Sequence, residues 1–245
     1  MVVAGLIRAA LDLVYPRNCQ LCATALAEQE RGVICAACLE GAKWIEPPFC
    51  QRCALPFVGA VEGAFDCGYC KEFEFHFTLA AAACLARGVV LDAIHHFKYN
   101  RRMYYGKHLA DWIVTAGQRW VDWGQVDGIA PVPLHPRKKR DREFNQAEYL
   151  AEAVGKAFAK PVWKRALRRV RDTKTQTRLD AQQRRENLRG AFAPGRQETA
   201  VKGKRIVLVD DVFTTGATLD ACAKVLRIAG AADVSVLTVA RGAYV

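Results

Sequence analysis

Two groups of residues in this chain have the types and spacing that chemistry needs. The first is Asp210-Asp211, followed within a few positions by Thr214-Thr215-Gly216-Ala217-Thr218. Threonine hydroxyls and free backbone N–H groups around a glycine turn suit a phosphate. Adjacent carboxylates suit the vicinal hydroxyls of a ribose, or a metal ion. Together they describe a sugar-phosphate site. An ordinary helix cap needs a single Asp or Thr, whereas this segment carries two carboxylates and three threonines around one glycine. The Gly-Lys-Ser/Thr element of a Walker A loop and the Gly-x-Gly-x-x-Gly of a dinucleotide fold are both missing.

The second group is cysteine. Eight of the ten form Cys-x-x-Cys pairs: Cys19/Cys22, Cys35/Cys38, Cys50/Cys53 and Cys67/Cys70. Such a pair aims two thiolates at one point, and two pairs complete a tetrahedral zinc site. The intervening stretches, 23–34 and 54–66, have ribbon-like lengths. Two Zn²⁺ ions held by consecutive pairs is the simplest arrangement, with a cross-braced pairing as the alternative. Four thiolates leave no position open for water, so the metal is structural and supplies folding energy to a segment too small for a good core. Disulfides are the rival chemistry. Residues 1–15 argue against them: Leu6, Ile7, Ala10, Leu11 and Val14 share a face with Arg8 and Asp12 off it, an amphipathic helix rather than a secretory leader. A cytoplasmic location follows as an expectation. Cys84, in an alanine-rich strand, and Cys222, on an apolar helix stripe, read as core residues.

The elements around these residues are those of an α/β protein. Ile206–Val209 reads as a buried parallel strand ending at the carboxylates, and Leu219–Ala229 as a helix with Cys222, Val225, Leu226 and Ala229 on one stripe. Further strands are expected at 79–85, 128–133, near 165–169 and at 234–239, with helices over 89–98, 105–121 and 145–159. Residues 171–190, polar and rich in Arg, Gln and Thr, read as a mobile loop. The pattern predicts a doubly wound parallel sheet with helices on both faces and ligands beyond the strands' carboxyl ends. A zinc domain over 1–75 precedes this α/β domain over 76–245.

The formal net charge of +11 is unevenly spread. Residues 1–75 hold 6 Lys/Arg against 9 Asp/Glu, and residues 135–190 hold 17 against 7. A basic stretch beside a sugar-phosphate site, densest at Arg137-Lys-Lys-Arg-Asp-Arg142, grips either pyrophosphate or a nucleic-acid backbone. No run approaches the 18–20 or so apolar residues of a membrane span.

The Asp210–Thr218 segment closely resembles the phosphoribosyl pyrophosphate (PRPP) signature of type I phosphoribosyltransferases. The resemblance implies that Asp210 and Asp211 hold the ribose hydroxyls in the reaction. It also implies that Val212 and Phe213 lead into the 5′-phosphate cradle of Thr214, Thr215, Gly216, Ala217 and Thr218. Pro131-Val-Pro-Leu-His-Pro136, Arg142-Glu-Phe-Asn-Gln-Ala147, Gln176 and Arg185-Glu-Asn-Leu-Arg-Gly-Ala-Phe192 narrow it to the ComF (ComFC/GntX) family, over nearly the full length. That family joins a Cys-x-x-Cys zinc domain to a phosphoribosyltransferase domain and is linked to DNA uptake in natural transformation. The implied cofactor is Mg²⁺ with PRPP, and the implied partners are an unidentified acceptor, single-stranded DNA and the uptake machinery. Arg137 and Arg142 fall in the implied pyrophosphate loop, and 171–190 in the flap that closes over the site. Lys98, in Phe97-Lys98-Tyr99, resembles a family lysine and either reaches a phosphate or ends a helix in solvent. Asn145 and Gln146 either cap a helix or read a base. Phe144, Tyr104 and Tyr105 are the aromatics available for base stacking. The family usually has glycine where this chain has Glu143. Two functions remain open: an enzyme transferring phosphoribosyl groups, or a DNA-binding module with a regulatory or vestigial PRPP site.

Overall fold

A computed structural model of the chain describes residues 17–27, 29–30, 32–59, 65–99, 102–172 and 181–242. The helix expected over 1–15 and residues 173–180 of the expected flap lie outside these. In order, the elements are α1 (Ala36–Glu40), α2 (Gly68–Glu72), β1 (Ala80–Leu85), α3 (Gly88–Tyr99), α4 (Tyr105–Trp120), β2 (Gly128–Pro131), α5 (Pro136–Arg142), α6 (Gln146–Ala157), β3 (Leu167–Arg169), α7 (Ala181–Leu188), β4 (Phe192–Pro194), β5 (Arg205–Phe213), α8 (Ala217–Ile228) and β6 (Asp233–Arg241).

β1, β6, β5 and β2 form, in that order, a parallel sheet. Its two central strands bury Ile206–Val209 and Val234, Val236, Leu237 and Val239, as strands covered on both faces must. On one face, Ile94, Phe97, Leu109, Ile113, Leu150 and Val154 of α3, α4 and α6 pack on Val207, Val209 and Val239. On the other, Leu219, Ala223 and Leu226 of α8 pack on Ile206, Leu208 and Val236. After β2 the chain passes through α5 to α6 on the first face, and after β5 it enters α8 on the second. Adjoining strands β2 and β5 thus send their chains to opposite sides, which opens a crevice beyond their carboxyl ends.

Four elements differ from their sequence expectations. β5 does not stop at Val209: β6 runs on to Arg241 and pairs Asp210 with Thr238 and Val212 with Ala240, so both carboxylates lie within the strand. They still overhang β2, whose last pair is Pro131 with Val209. The basic run is a helix rather than a turn. Pro136 at its first position fixes a helical φ, the His135 ring nitrogen accepts from Arg137 N–H at 3.4 Å, and Glu143 ends it in the left-handed region at φ 68°. Within 171–190, Ala181–Leu188 forms α7, anchored through Leu188, which is buried in the α8 cluster. The strand near 165–169 pairs antiparallel with β4 in a small separate sheet rather than joining the main one.

The zinc-ribbon region docks at two places. The first cysteine module packs on the α3–α4 side, where the Tyr105 hydroxyl donates to Gln20 O at 3.0 Å and Val33 N–H donates to His108 Nε2 at 3.4 Å. Its exit strand lines the edge of β1, with Ile45 N–H on Ala83 O at 2.9 Å and Leu85 N–H on Lys43 O at 2.8 Å. The second module shares a core with α8: Cys50, Cys53, Cys67 and Cys70 join Phe75, Phe77, Phe213 and Leu219.

Candidate functional site: a charged cleft backed by a zinc ribbon

The crevice beyond β2 and β5 holds a cleft of about 480 Å³. Its floor is Asp210 and Asp211 from β5, one wall is Thr218 from α8, and the other is Val132, Leu134 and α5 with the start of α6. Strand alternation sends the two carboxylates to opposite faces. Asp211 turns to the α3 face and is buried, in an ion pair with Lys98 at the end of α3. Asp210 turns to the α8 face and is half-buried. Burial works to raise the Asp211 carboxyl, but the Lys98 ammonium beside it holds it below its usual value. Burial and the neighbouring Asp211 carboxylate push Asp210 well above the ordinary range. Lys98 loses by burial and gains more from Asp211 and then Asp210, so its ammonium is held on more firmly than usual. Asp211 is tied to Lys98, while Asp210, whose Oδ1 accepts from Asp211 N–H at 2.9 Å, has no ion pair among the described residues and lines the cleft.

The opposite wall is mainly cationic, with the Asp141 carboxylate set between its basic side chains. Lys138 and Arg142 are four residues apart on α5, which places both on its inner face. Burial, then the Arg169 guanidinium, hold the Lys138 ammonium below its usual value, as in a site short of negative charge. Arg142 stands 4.7 Å over the Tyr99 ring, and its Nη1 donates to Gln146 Oε1 at 3.3 Å. Arg169, from β3, completes the group with its guanidinium 5.3 Å over the Phe192 ring. Gln146 is buried at the cleft, and among the described residues its Nε2 has no hydrogen-bond partner.

The segment after β5 presents a helix N-terminus. Gly216 caps α8 at φ 78°, in the left-handed region that glycine adopts without strain. The first-turn N–H groups of a helix have no intrahelical partner. Thr218 lines the cleft, Thr215 is half-buried and accepts from Ala217 N–H at 3.5 Å, and Thr214 is exposed. Val212 and Phe213 contribute backbone, with the Phe213 ring buried behind the loop.

Of the residues singled out from sequence, the cleft therefore gathers Asp210, Asp211, Thr218, Lys98, Arg142, Asn145 and Gln146. Lys98 neither ends in solvent nor stands free for a phosphate. Arg137 does not line the cleft: its side chain is 71 % exposed and pairs with Asp172 at 3.3 Å. Its neighbour Lys138 does, within the basic run read as gripping pyrophosphate; Arg169 and Tyr99 are lining residues to which the sequence reading gave no role. Helical spacing from Arg142 would have singled out Lys138 within that run; nothing local marks Arg169. Asn145 is a cap, with its Oδ1 accepting from Ala147 N–H at 3.2 Å and its Nδ2 donating to Val132 O at 3.0 Å. Phe144 packs against Phe97 and Tyr105 is buried, which leaves Tyr104 as the exposed aromatic of the three named for stacking. Glu143 stands outside the cleft, beside Lys139 and Arg140.

The cysteines gather as two sets of four, Cys19, Cys22, Cys35, Cys38 and Cys50, Cys53, Cys67, Cys70, each with all sulfurs within 4.8 Å of one another. A tetrahedron with Zn–S bonds of about 2.3 Å has edges of about 3.8 Å. The contacts Cys19–Cys38, Cys22–Cys35 and Cys53–Cys67 measure 3.8, 3.6 and 3.7 Å. Both sets fit structural Zn²⁺ in sequential pairing rather than cross-braced. Cys84 and Cys222 are fully buried in the core.

Known proteins combine the same parts. Residues 10–73 match the double zinc ribbon domain, and residues 149–243 match the phosphoribosyl transferase domain. The chain is 34% identical over 233 residues to the DNA utilization protein YhgH of Escherichia coli O157:H7, covering 94% of this chain and 99% of that protein. It is 28% identical over 211 residues to competence protein F of Haemophilus influenzae, covering 85% and 90%. With competence protein ComFC of Streptococcus pneumoniae the identity is 34% over 151 residues, or 61% and 62%. With a double zinc ribbon leading into a phosphoribosyltransferase domain, and matches of this length to those relatives, the chain belongs to the ComF family.

Proposed function

We propose that the cleft binds PRPP with Mg²⁺ and that the chain transfers its phosphoribosyl group to an acceptor during the handling of DNA. The observation that carries this is one volume bounded by a helix N-terminus, the Asp210 carboxylate and the cations Lys138, Arg142 and Arg169. The turn after β5 takes the 5′-phosphate. Asp210 takes the ribose hydroxyls, with Asp211 held behind it by Lys98. Lys138, Arg142 and Arg169 neutralise the pyrophosphate as the bond to ribose C1 breaks and the acceptor attacks that carbon. Mg²⁺ would come with the substrate's phosphates and add to this neutralisation. The residues matching the family's flap would close over the cleft and exclude water. Eight cysteines at metal-binding rather than disulfide spacing support a reducing, cytoplasmic setting. No helix among the described residues is long and apolar enough to cross a membrane.

The test is isothermal titration of the full chain with PRPP, with and without Mg²⁺, for the wild type and Asp210→Asn. Micromolar, Mg²⁺-dependent binding that Asp210→Asn abolishes is expected. Undiminished binding in the variant overturns the assignment.

Nucleic-acid binding is the second reading, supported by α5. While Lys138 and Arg142 face the cleft, Arg137, Lys139 and Arg140 are exposed on its outer side. A labelled single-stranded DNA should bind with an affinity that falls steeply with salt. Charge reversal at Arg137 and Arg140 should weaken that binding while leaving PRPP affinity intact.

A further inference from the structure

The loop that ends β5 is held from behind. Phe213 O and Thr214 O accept from Arg241 Nη1 at 3.3 and 2.8 Å, and Thr215 O accepts from the Tyr69 hydroxyl at 2.8 Å. Three successive carbonyls are thus turned onto two side chains. In a planar trans peptide the C=O and the following N–H point in opposite directions. Pinning these carbonyls rearward therefore turns the N–H groups of Thr214, Thr215 and Gly216 forward, the arrangement that an anion needs.

Tyr69 belongs to the second zinc site, and Arg241, the last residue of β6, is locked against it. Tyr69 lies between the ligands Cys67 and Cys70. Arg241 is fully buried. Its Nε donates to Cys53 O at 2.6 Å, its Nη2 lies 3.6 Å from Cys53 Sγ, and its guanidinium stands 4.6 Å over the Phe213 ring. A buried guanidinium against a tetrathiolate centre is a charge match as well as a strut. Aromatic packing completes the seat. A Cβ on Gly216 would come within 2.9 Å of the Phe75 ring and 2.8 Å of the Phe213 ring, so only glycine lets the loop rest there. His76 N–H and Nδ1 also engage Asp220 Oδ1, in the first turn of α8, at 2.7 and 2.9 Å.

We infer that the second zinc module is the rear support of the phosphate loop, with Arg241 and Tyr69 as positioning residues that fix residues 213–216 in their anion-binding shape. The inference rests on the PRPP reading for the identity of the ligand; the order of the loop is a property of the chain alone.

The experiment uses the full zinc-loaded chain and three variants: Tyr69→Phe, Arg241→Lys, and Tyr105→Phe, which removes the corresponding bond at the first module. Hydrogen exchange at Thr214–Ala217, zinc content and PRPP titration are measured on each. With two zinc ions retained, Tyr69→Phe should speed loop exchange and weaken PRPP by about tenfold each, the scale of one lost hydrogen bond. Arg241→Lys, which keeps the charge but loses the fork, should do more. Tyr105→Phe should leave the loop unchanged. Loop exchange unaltered in Tyr69→Phe, or altered equally by Tyr105→Phe, overturns the inference. Wild-type protein that binds no PRPP overturns the functional reading instead, while the exchange measurement still decides this one.

Discussion

Both zinc modules hold four sulfurs at tetrahedral spacing, and both meet the sheet domain through a tyrosine hydroxyl on a backbone carbonyl. The direction differs. At the first module the tyrosine belongs to α4 and reaches into the knuckle, Tyr105 to Gln20 O. At the second the tyrosine belongs to the knuckle and reaches into the ligand loop, Tyr69 to Thr215 O. The faces they cover differ in the same sense. On the α3 side the charged group nearest the cleft, Asp211, is already paired with Lys98. On the α8 side Asp210, Thr218 and the N-terminus of α8 line or face open space. One module clamps a closed face, while the other stands directly behind an open one. A repeated fold unit takes its role from what it is docked against.

Breaking one metal site at a time gives the largest effect. Cys22→Ser and Cys70→Ser should each lower zinc content from two ions per chain to one. Cys70→Ser should also cut PRPP affinity by about 100-fold, at the upper end of what supporting residues contribute, whereas Cys22→Ser should stay within about threefold on the same scale. Metal analysis beside calorimetry reads both, and equal losses of affinity would erase the distinction between the modules.

The closed face predicts a stability effect rather than a binding one. Lys98→Met leaves the buried Asp211 carboxylate without its cation, which costs about 3 kcal/mol. That is the low end for breaking a buried pair, because the Lys98 side chain keeps 21 % of its surface exposed. Adding Asp211→Asn should recover most of the loss. Urea denaturation of the single and double variants measures both, and a double variant no more stable than Lys98→Met alone would mean that the lysine acts through something other than the carboxylate.

Much of this comparison was legible in the sequence, and the part that was not has one cause. The cysteine knuckles and the strand–turn–helix at Asp210 are contiguous, so spacing alone defines their local geometry. Lys98, Arg169 and Arg241 arrive from distant elements, and their partners are set by packing that no local pattern records. The length of β5 belongs to the same class: two carboxylates interrupt its apolar run, and it continues through them because β6 supplies a ladder. The basic run is the intermediate case. Treated as charge it put Arg137 and Arg142 in one group; treated as a helix begun by Pro136, its spacing separates Lys138 and Arg142 from Arg137.

The open face predicts a pH-dependent gain. Burial and then Asp211 raise the Asp210 carboxyl, so the folded chain holds that proton more tightly than the unfolded one. Its cost to stability is therefore absent below the ordinary carboxylate range, about pH 4, and grows as the pH rises through the interval to its raised value. Asp210→Asn should stabilise the unliganded protein by about 1 kcal/mol at pH 7 and by nothing at pH 3, while PRPP binding is lost. A gain that is the same at both pH values would show that ionisation is not its source.

Glu143 gives the smallest effect and bears on the cleft wall between the two faces. The residue closes α5 at φ 68°, a conformation that costs a side-chain-bearing residue about 1–2 kcal/mol. Replacing it with the family's glycine removes that cost and adds about 0.4–1 kcal/mol of unfolded-state entropy. The folded-state term is the larger, so Glu143→Gly should raise the melting temperature slightly. Because Glu143 stands outside the cleft beside Lys139 and Arg140, PRPP affinity should not change. An affinity that rises with the substitution would place the carboxylate's field inside the cleft, and the α5 wall would then be tuned by its outer side as well as by Lys138 and Arg142.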